Sequence, residues 1–443
     1  MKVKKLIALA LASVLMLTLL MAGCGKEVGT DSAPQDKTAA EPAATPEAAK
    51  TETAEAEQSA EPVTVEFWHG YAADKSEMLN EMIARYQQEN PNVTINAKFV
   101  AAGEEMLQKV QSALLSNQEP DLLWGFPTWT GVLSSSGKLL ELGALIDDEL
   151  RNDIPKGLLE AGMYQKKIYS VPIEAGTLYL IYNKDMFAEA GIANPPATWE
   201  ELYNVSRQLT KGDKYGIWLP IAPDERTAWT WECFLWQNGQ SILNEEGNNI
   251  GFNNEKGLES LEYYTKIIKD GYSPIATGKD PFLDKQVAMV YATQGAANTY
   301  ITKEKMNVGV AMLPGKDKLA TGLGSNHYFM FKCDEKVQKE ALKFIKWMTT
   351  GDNNAEWVIK TGYLPVSNSA RESAKYAEFG KENPHMVEAA KALTYGVARP
   401  PIEEYPKLSA AISETIEKIA YDKMTAKEGM KSIADKANEI FKK

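Results

Sequence analysis

Residues 63–71 read Val-Thr-Val-Glu-Phe-Trp-His-Gly-Tyr, and this stretch decides the fold. Apolar and polar residues alternate from Val63 to Phe67, which is typical of a half-buried β-strand. Four elements follow in turn, a helix, a strand, a helix and a strand, at 78–86, 93–99, 106–114 and 121–124. Because strands alternate with helices here, the pattern predicts a layered α/β domain with a mostly parallel sheet.

The same alternation resumes in the second half of the chain. Strands are predicted at 178–182, 287–291, 308–313 and 327–331. Helices are predicted at 198–212, 258–268, 337–348 and 353–359, with a final amphipathic pair from residue 408 to the end. About 380 residues follow Pro62, which is too many for one ordinary core and suits two domains.

The N-terminal residues have the pattern of an export signal. Lys2, Lys4 and Lys5 precede an apolar run at 6–20, and Ala-Gly-Cys follows at 22–24. Small residues directly before a cysteine resemble a bacterial lipobox, in which the thiol is diacylated and two acyl chains anchor the protein stably. We therefore expect a signal peptide at 1–23 and lipidation at Cys24. The alternative is an uncleaved membrane helix, because the apolar run is near the lower limit for spanning.

The segment after Cys24 has a composition that does not fold. Residues 25–62 consist mainly of Ala, Glu, Thr, Pro, Gln and Ser, so they cannot bury enough surface to offset the entropy of ordering. A long helix is the alternative for an Ala/Glu-rich stretch, but four prolines interrupt it. We expect residues 24–62 to form a disordered linker on the extracytoplasmic face of the bacterial cytoplasmic membrane.

Composition and motifs exclude several functions. The net charge of −12 argues against nucleic acid as a partner. Walker loops, nucleophile elbows and zinc-binding helices are absent from the sequence, and its three histidines are not at metal-ligand spacing. We predict no catalysis, no cofactor and no metal. Paired carboxylates for glycoside hydrolysis stay an alternative, because their spacing is spatial rather than sequential.

Aromatic residues give the positive signal. They cluster at the ends of the first and third predicted strands and in the second half, at Trp68, Tyr71, Trp124, Phe126, Trp129, Trp229, Trp231 and Trp236. Sugar rings stack on aromatic faces, and ligands of open α/β sheets bind beyond the carboxyl ends of strands. For Trp229 and Trp231, pocket and core both stay open, since tryptophans are often highly buried.

Several segments together carry a resemblance to a known family. They are VEFWHGY at 65–71, EPD at 119–121, VP at 171–172, YNKD at 182–185, PATWEE at 196–201, AEW at 355–357 and KTGYLP at 360–365. In order and spacing they resemble the extracellular solute-binding proteins of ABC importers, in the group that binds maltose, oligosaccharides and glycerol-3-phosphate. The resemblance runs from Val63 to the C-terminus and implies a monomer that delivers its solute to an ABC permease.

The family implies a two-lobed periplasmic-binding-protein-like fold of the class II type. Each lobe should be a mostly parallel sheet flanked by helices, with a hinge that closes on the ligand. The expected bounds are 63–172 and 326–396 for lobe 1, and 175–323 and 400–443 for lobe 2. Crossings between lobes are expected at 171–177, 322–326 and 397–401. Cys233 and Cys333 then fall in different lobes, where we expect them to be free, buried thiols.

The resemblance also implies which residues contact the ligand. They come from the loop after the first strand, the third strand, the crossings and the tryptophan cluster: Trp68, His69, Tyr71, Trp124, Trp129, Glu174, Thr177, Trp229, Trp231, Gly324, Ser325, Asn326 and Tyr363. Gly324 is interpreted either as allowing close backbone approach or as a plain turn glycine.

The substrate class rests on a smaller comparison. The KTGYLP and YNKD segments are most similar to glycerol-3-phosphate binders, which place an arginine of the C-terminal region against the phosphate. Arg399 does not match that position, and Glu403 and Glu404 would repel a dianion. A neutral sugar or short oligosaccharide is therefore favoured, with glycerol-3-phosphate or a glycerophosphodiester as the alternative. A glycan-active enzyme and a sensor or adhesin subunit are the readings from other classes.

Overall fold

The computed structural model describes residues 61–71, 74–275 and 280–442. Its strands are β1 (Val63–His69), β2 (Val93–Phe99), β3 (Leu122–Gly125), β4 (Met163–Tyr164), β5 (Lys167–Ile168), β6 (Ser170–Thr177), β7 (Tyr179–Asn183), β8 (Tyr215–Trp218), β9 (Val287–Ala292), β10 (Val308–Ala311), β11 (Thr321–Met330) and β12 (Gly396–Val397). The predicted signal peptide, lipidated Cys24 and nearly all of the linker lie outside the described residues.

The helices are α1 (Asp74–Glu89), α2 (Gly103–Ser116), α3 (Thr130–Ser135), α4 (Asp148–Asp153), α5 (Lys156–Ala161), α6 (Lys184–Glu189), α7 (Trp199–Leu209), α8 (Glu225–Gln237), α9 (Glu255–Lys269), α10 (Gln294–Asn298), α11 (Glu335–Thr349), α12 (Gly351–Thr361), α13 (Asn368–Arg371), α14 (Ala374–Glu382), α15 (Pro384–Ala392), α16 (Tyr405–Ala420) and α17 (Ala426–Ile440). Across the described ranges, no helix combines the length and the apolar character needed to cross a membrane.

The first sheet is built around β1. This strand runs parallel to β2 on one side and to β3 on the other. Val65 and Phe67 are fully buried while Glu66 is exposed, so the sequence alternation places one face on the core. β11 joins antiparallel to β3 and gives the strand order β12-β11-β3-β1-β2, with β6 paired to β11. The sheet is therefore mixed rather than mostly parallel.

The second sheet has the order β10-β7-β9-β8. Its β8 and β9 are parallel, but β7 pairs antiparallel with both β9 and β10. The expectation of a mostly parallel sheet in each lobe needs correction here. β7 enters this sheet directly from the connecting strand β6 and runs opposite to both of its neighbours, β9 and β10.

Three strands connect the two sheets. β6 leaves the first sheet, and only Leu178 separates it from β7 in the second. β11 returns antiparallel to β6, and β12 pairs parallel with the start of β11. The Thr177 hydroxyl donates to Thr321 Oγ1 at 3.1 Å and to the Gly322 carbonyl at 3.1 Å. These bonds tie the first two strands together where they pass between the sheets.

Part of the segment assigned to lobe 1 contacts the second sheet. Tyr376 of α14 and Met386 of α15 share a hydrophobic cluster with Tyr179 and Val308 of the second sheet. His385 of α15 also hydrogen-bonds Asn298 of α10 at 2.8 Å. Helix α15 thus packs on the second sheet, whereas α14 packs mainly on α12.

The two cysteines in the described part of the chain are free. Cys233 lies in α8 and is fully buried, where burial raises its pKa to about 12. Cys333 follows β11 and is half-buried rather than buried. Cys233 packs in the core of the second sheet, whereas Cys333 follows a strand of the first sheet.

Candidate functional site

A cavity of about 610 Å³ lies where the two sheets and the connecting strands meet. Strand ends and the residues after them supply much of its wall, with Trp124 in β3 and Thr293 after β9. Six of the predicted ligand-binding residues line it: Trp124, Trp229, Gly324, Ser325, Asn326 and Tyr363. Its volume is within the range of small-molecule sites.

One wall of the cavity is aromatic. Trp124 and Phe126 face the space, with ring centroids 5.4 Å apart in an edge-to-face arrangement. Trp129 packs behind Phe126 at 5.1 Å, and Tyr71 packs behind Trp124 at 5.1 Å. Both are buried, and half-buried Trp68 packs against the hydrophobic cluster that contains Trp129. These three predicted residues therefore support the wall from behind.

Glu174 holds a wall residue in place from inside the protein. Its carboxylate is fully buried and accepts hydrogen bonds from Asn326 Nδ2 at 2.5 Å and Trp357 Nε1 at 2.8 Å. Burial raises the Glu174 pKa, and the Asn326 bond and the charge of Lys75 oppose this shift. The structure thus gives Glu174 a positioning role behind Asn326, not a place on the cavity surface.

Three further predicted residues lie away from the cavity surface. His69 is buried with its ring 5.8 Å from that of Tyr71, and burial lowers its pKa to about 4. Thr177 is buried in its bonds to β11. Trp231 is fully buried in the core beneath α8, 5.3 Å from the Phe252 ring. Trp231 is therefore corrected to a core residue, because two positions along a helix turn it away from Trp229.

Trp229 lies flat against the returning strand β11. A Cβ on Gly322 would collide with the Trp229 indole nitrogen, whereas one on Gly324 would meet the ring at 3.5 Å, an ordinary contact. The close approach of the Trp229 ring to β11 therefore requires a glycine at position 322. It does not require one at 324, although Gly324 was the predicted position. Trp229 brings α8 of the second sheet into contact with the connecting strand.

The cavity also holds a compact set of charges. Arg399 lies 5.1 Å from the Trp229 ring and forms an ion pair with Glu225. Lys75 lies 4.1 Å above the Tyr363 ring. Of the described residues that line this cavity, Glu225 is the only acid. The described residues contain no cluster of three His, Cys, Asp or Glu side chains suited to a metal ion.

Gln294 is a buried wall residue that the sequence did not predict. It lies at the start of α10, is 4% exposed, and donates from Nε2 to the Ala175 carbonyl at 3.4 Å. Its Oε1 has no hydrogen-bond partner in the described part of the chain. The sequence does hold one indication of this position, because Gln294 follows β9 and ligands bind beyond the carboxyl ends of strands.

A side cavity of about 360 Å³ adjoins the main one. The two share Glu225, Trp229, Thr293 and Arg399. The side cavity adds the aromatic ring of Trp218, which lies 5.3 Å from the guanidinium of Arg226. Together the cavities form an elongated space with an aromatic residue in each part.

Comparisons with known proteins agree with this geometry. A family described as bacterial extracellular solute-binding protein matches residues 81–387. A putative binding protein of Brucella abortus is 26% identical over 84% of this chain and 92% of its own length. The sn-glycerol-3-phosphate-binding periplasmic protein of Salmonella typhimurium is 23% identical over 86% of this chain and 93% of its own length.

Solved structures share the fold. The crystal structure of the cyclic α-maltosyl-1,6-maltose binding protein from Arthrobacter globiformis has a TM-score of 0.81 and 27% identity, covering 86% of this chain and 99% of that one. The sugar-binding protein MalE of Xanthomonas citri has a TM-score of 0.76 and 20% identity, covering 86% and 97%. The predicted family and its two-lobed α/β fold are confirmed. The chain belongs to the bacterial extracellular solute-binding proteins.

Proposed function

We propose that this protein binds a neutral carbohydrate, a sugar or short oligosaccharide, and delivers it to an ABC permease. The observation that carries the proposal is the cavity of about 610 Å³ with an aromatic wall and neutral hydrogen-bonding groups. Trp124 and Trp229 offer ring faces, while Ser325, Asn326 and Gln294 offer donors and acceptors to hydroxyl groups. The similarity to a maltosyl-maltose binding protein supports the same ligand class.

The charges of the cavity favour a neutral ligand over a phosphate ester. Arg399 is already paired with Glu225, and the charge of Lys75 acts on the buried Glu174. A phosphate dianion would have to displace Glu225 or be repelled by it. The second candidate is glycerol-3-phosphate, for which the Salmonella relative is named, or a glycerophosphodiester. Arg399 would then be its main cationic contact.

The shape of the space supports a ligand of more than one ring. The side cavity of about 360 Å³ continues the main one past Trp229 and Arg399. Trp218 provides a second aromatic residue there. A glycan hydrolase would need two carboxyl groups facing one sugar bond. Two described acids line the two cavities: Glu225 is paired with Arg399, and Asp280 of the side cavity already accepts hydrogen bonds from Tyr300 and from the Phe282 backbone. Binding without catalysis is the function we propose.

Location and partners complete the proposal. Membership of an extracellular family supports a place outside the cytoplasm. The lipid anchor at Cys24, the signal peptide and the monomeric state are proposed from the sequence. Replacing Cys24→Ser should abolish acyl labelling and release the protein from membranes, and a labelled, membrane-bound variant would contradict the anchor.

Isothermal titration with maltose, maltotriose, maltotetraose and glycerol-3-phosphate tests the ligand class. We expect a sugar to bind and glycerol-3-phosphate not to bind. Arg399→Gln should weaken sugar binding by less than about threefold, since Arg399 is already paired with Glu225 and a neutral sugar forms no ionic contact with it. Arg207→Gln, on the exposed face of α7, is the matched control. Binding of glycerol-3-phosphate that Arg399→Gln abolishes, with no response to any sugar, would reverse the proposal.

A further inference from the structure

A buried histidine lies between two serine hydroxyls beside the cavity. His327 Nδ1 is 2.9 Å from Ser170 Oγ, and His327 Nε2 is 2.8 Å from Ser325 Oγ. His327 and Ser170 are fully buried, whereas Ser325 is half-buried and lines the cavity. The three side chains form one hydrogen-bonded chain that runs from the interior to the ligand space.

The backbone explains this alignment. Ser325 and His327 are two residues apart on β11, so their side chains leave the same face of the strand. Ser170 begins β6, which pairs antiparallel with β11. The register of that pair shifts between Asn326 and His327, and such a bulge re-aims side chains locally.

The histidine at the centre of the chain is neutral. Burial lowers the pKa of His327 to about 3, and the Ser170 backbone opposes that shift only in part. A neutral imidazole has one donating and one accepting nitrogen. The directions of the two hydrogen bonds are therefore coupled. When one ring nitrogen donates, the other accepts, so reversing one bond also reverses the other.

Hydrogen bonding at the buried end of the chain favours one direction, although the Ser170 backbone could also accept from a protonated Nδ1. The hydroxyl of Ser170 has no hydrogen-bond partner besides His327 in the described ranges. If Nδ1 carried the proton, the Ser170 hydroxyl hydrogen would lack an acceptor in a fully buried place, which proteins avoid. The satisfied arrangement has Ser170 donating to Nδ1, and Nε2–H donating to Ser325 Oγ. The hydrogen of the Ser325 hydroxyl is then free for another partner.

We propose that Ser170 and His327 orient the Ser325 hydroxyl as a hydrogen-bond donor to an oxygen atom of the bound carbohydrate. Ser325 is the contact residue, and His327 and Ser170 are positioning residues. The inference rests on the proposed carbohydrate function and deepens it, since it requires an acceptor oxygen on the ligand beside Ser325.

Nitrogen-15 NMR of histidine side chains in the full-length protein, solubilised in detergent, tests the direction. The sequence contains only three histidines, so His327 can be assigned by substitution. We expect a single ring form protonated at Nε2, unchanged in form between pH 5 and 8. Ser170→Ala should introduce the Nδ1-protonated form. A ring protonated at Nδ1 in the unaltered protein would overturn the inference.

Titration of the same protein with maltose, maltotriose and maltotetraose tests the contact. Ser325→Ala should weaken binding of the tightest of these sugars about tenfold, as expected for one lost hydrogen bond. Ser325→Thr, which keeps the hydroxyl, should restore most of it. Ser413→Ala, a buried serine of α16 outside the cavity, is the control. Sugar binding that Ser325→Ala leaves unchanged would overturn this inference alone, whereas binding of none of the sugars would overturn the proposed function as well.

Discussion

Replacing Gly322→Ala should drive Trp229 away from β11. The new Cβ would meet the indole nitrogen and its neighbouring carbon well inside contact distance. Gly324→Ala is the matched control, since it lies two residues along the same strand and its Cβ would meet Trp229 at 3.5 Å. Neither glycine has a positive φ, so alanine fits the backbone at both positions.

The expected difference in unfolding free energy comes from the one effect that the two variants do not share. Both lose chain entropy in the unfolded state, which stabilises each by about 0.4–1 kcal/mol. Only Gly322→Ala adds an overpacked contact, at a cost of about 1–3 kcal/mol. The free energy of unfolding should therefore differ between the variants by about 1–3 kcal/mol, with Gly324→Ala the more stable.

Urea unfolding measures this difference, provided that the slope with urea is unchanged. A double-mutant cycle with Trp229→Ala assigns the cause, because the penalty at Gly322 should disappear when the ring is absent. Equal stability of the two glycine variants would refute the contact. So would a penalty at Gly322 that persists in the Trp229→Ala background, since the clash would then involve another group.

Two further predictions concern buried groups of the second lobe and the aromatic wall. Burial raises the pKa of Glu232 to about 8. Between about pH 4.5 and 8 the folded state therefore holds a proton that the unfolded state releases. As the pH rises through this window, the contribution of Glu232 to the free energy of unfolding is lost. The Glu232→Gln variant should not show this loss, so its free energy of unfolding should rise relative to that of the unaltered protein by up to about 1.4 kcal/mol per pH unit across the window. If urea unfolding gives the same difference between the two proteins from pH 5 to 8, the shifted pKa is contradicted. Trp124→Ala should weaken sugar binding by at least about tenfold, because the ligand loses a stacking face. Trp231→Phe should leave sugar affinity within about twofold and should lower the stability of the fold. If titration calorimetry shows a larger loss of affinity for Trp231→Phe than for Trp124→Ala, the ligand binds elsewhere.

The sequence predicts elements whose cause is local. The alternation at Val65 and Phe67 places β1 because one face of a strand must be buried. The connecting strands were found from family segments, and β6 lies where they implied. The packing of α15 on the second sheet was not predictable, since the pattern of an amphipathic helix shows that one face is buried but not against which sheet.

The site residues likewise divide into those that local sequence predicts and those that depend on the packed structure. Tryptophan is favoured both on sugar-binding walls and in cores, so only the packed structure separates Trp229 from Trp231. Glu174 was expected at the site and lies one layer behind it, because its hydrogen bonds to Asn326 and Trp357 come from distant segments. Gln294 carries no motif, and it became a candidate because its buried oxygen has no hydrogen-bond partner among the described residues, which only the folded structure shows.

The placement of β11 has a consequence for how the chain folds as it is made. β11 covers the edge of β3 in the first sheet, yet it follows the whole of the second sheet in sequence. Until residues 321–330 have been synthesised, β3 presents an unpaired edge that can pair with other chains. Completion of the first sheet must therefore wait for about 200 further residues after β3, and a contact so distant in sequence forms slowly. A nascent chain of this protein is most exposed to aggregation during that interval.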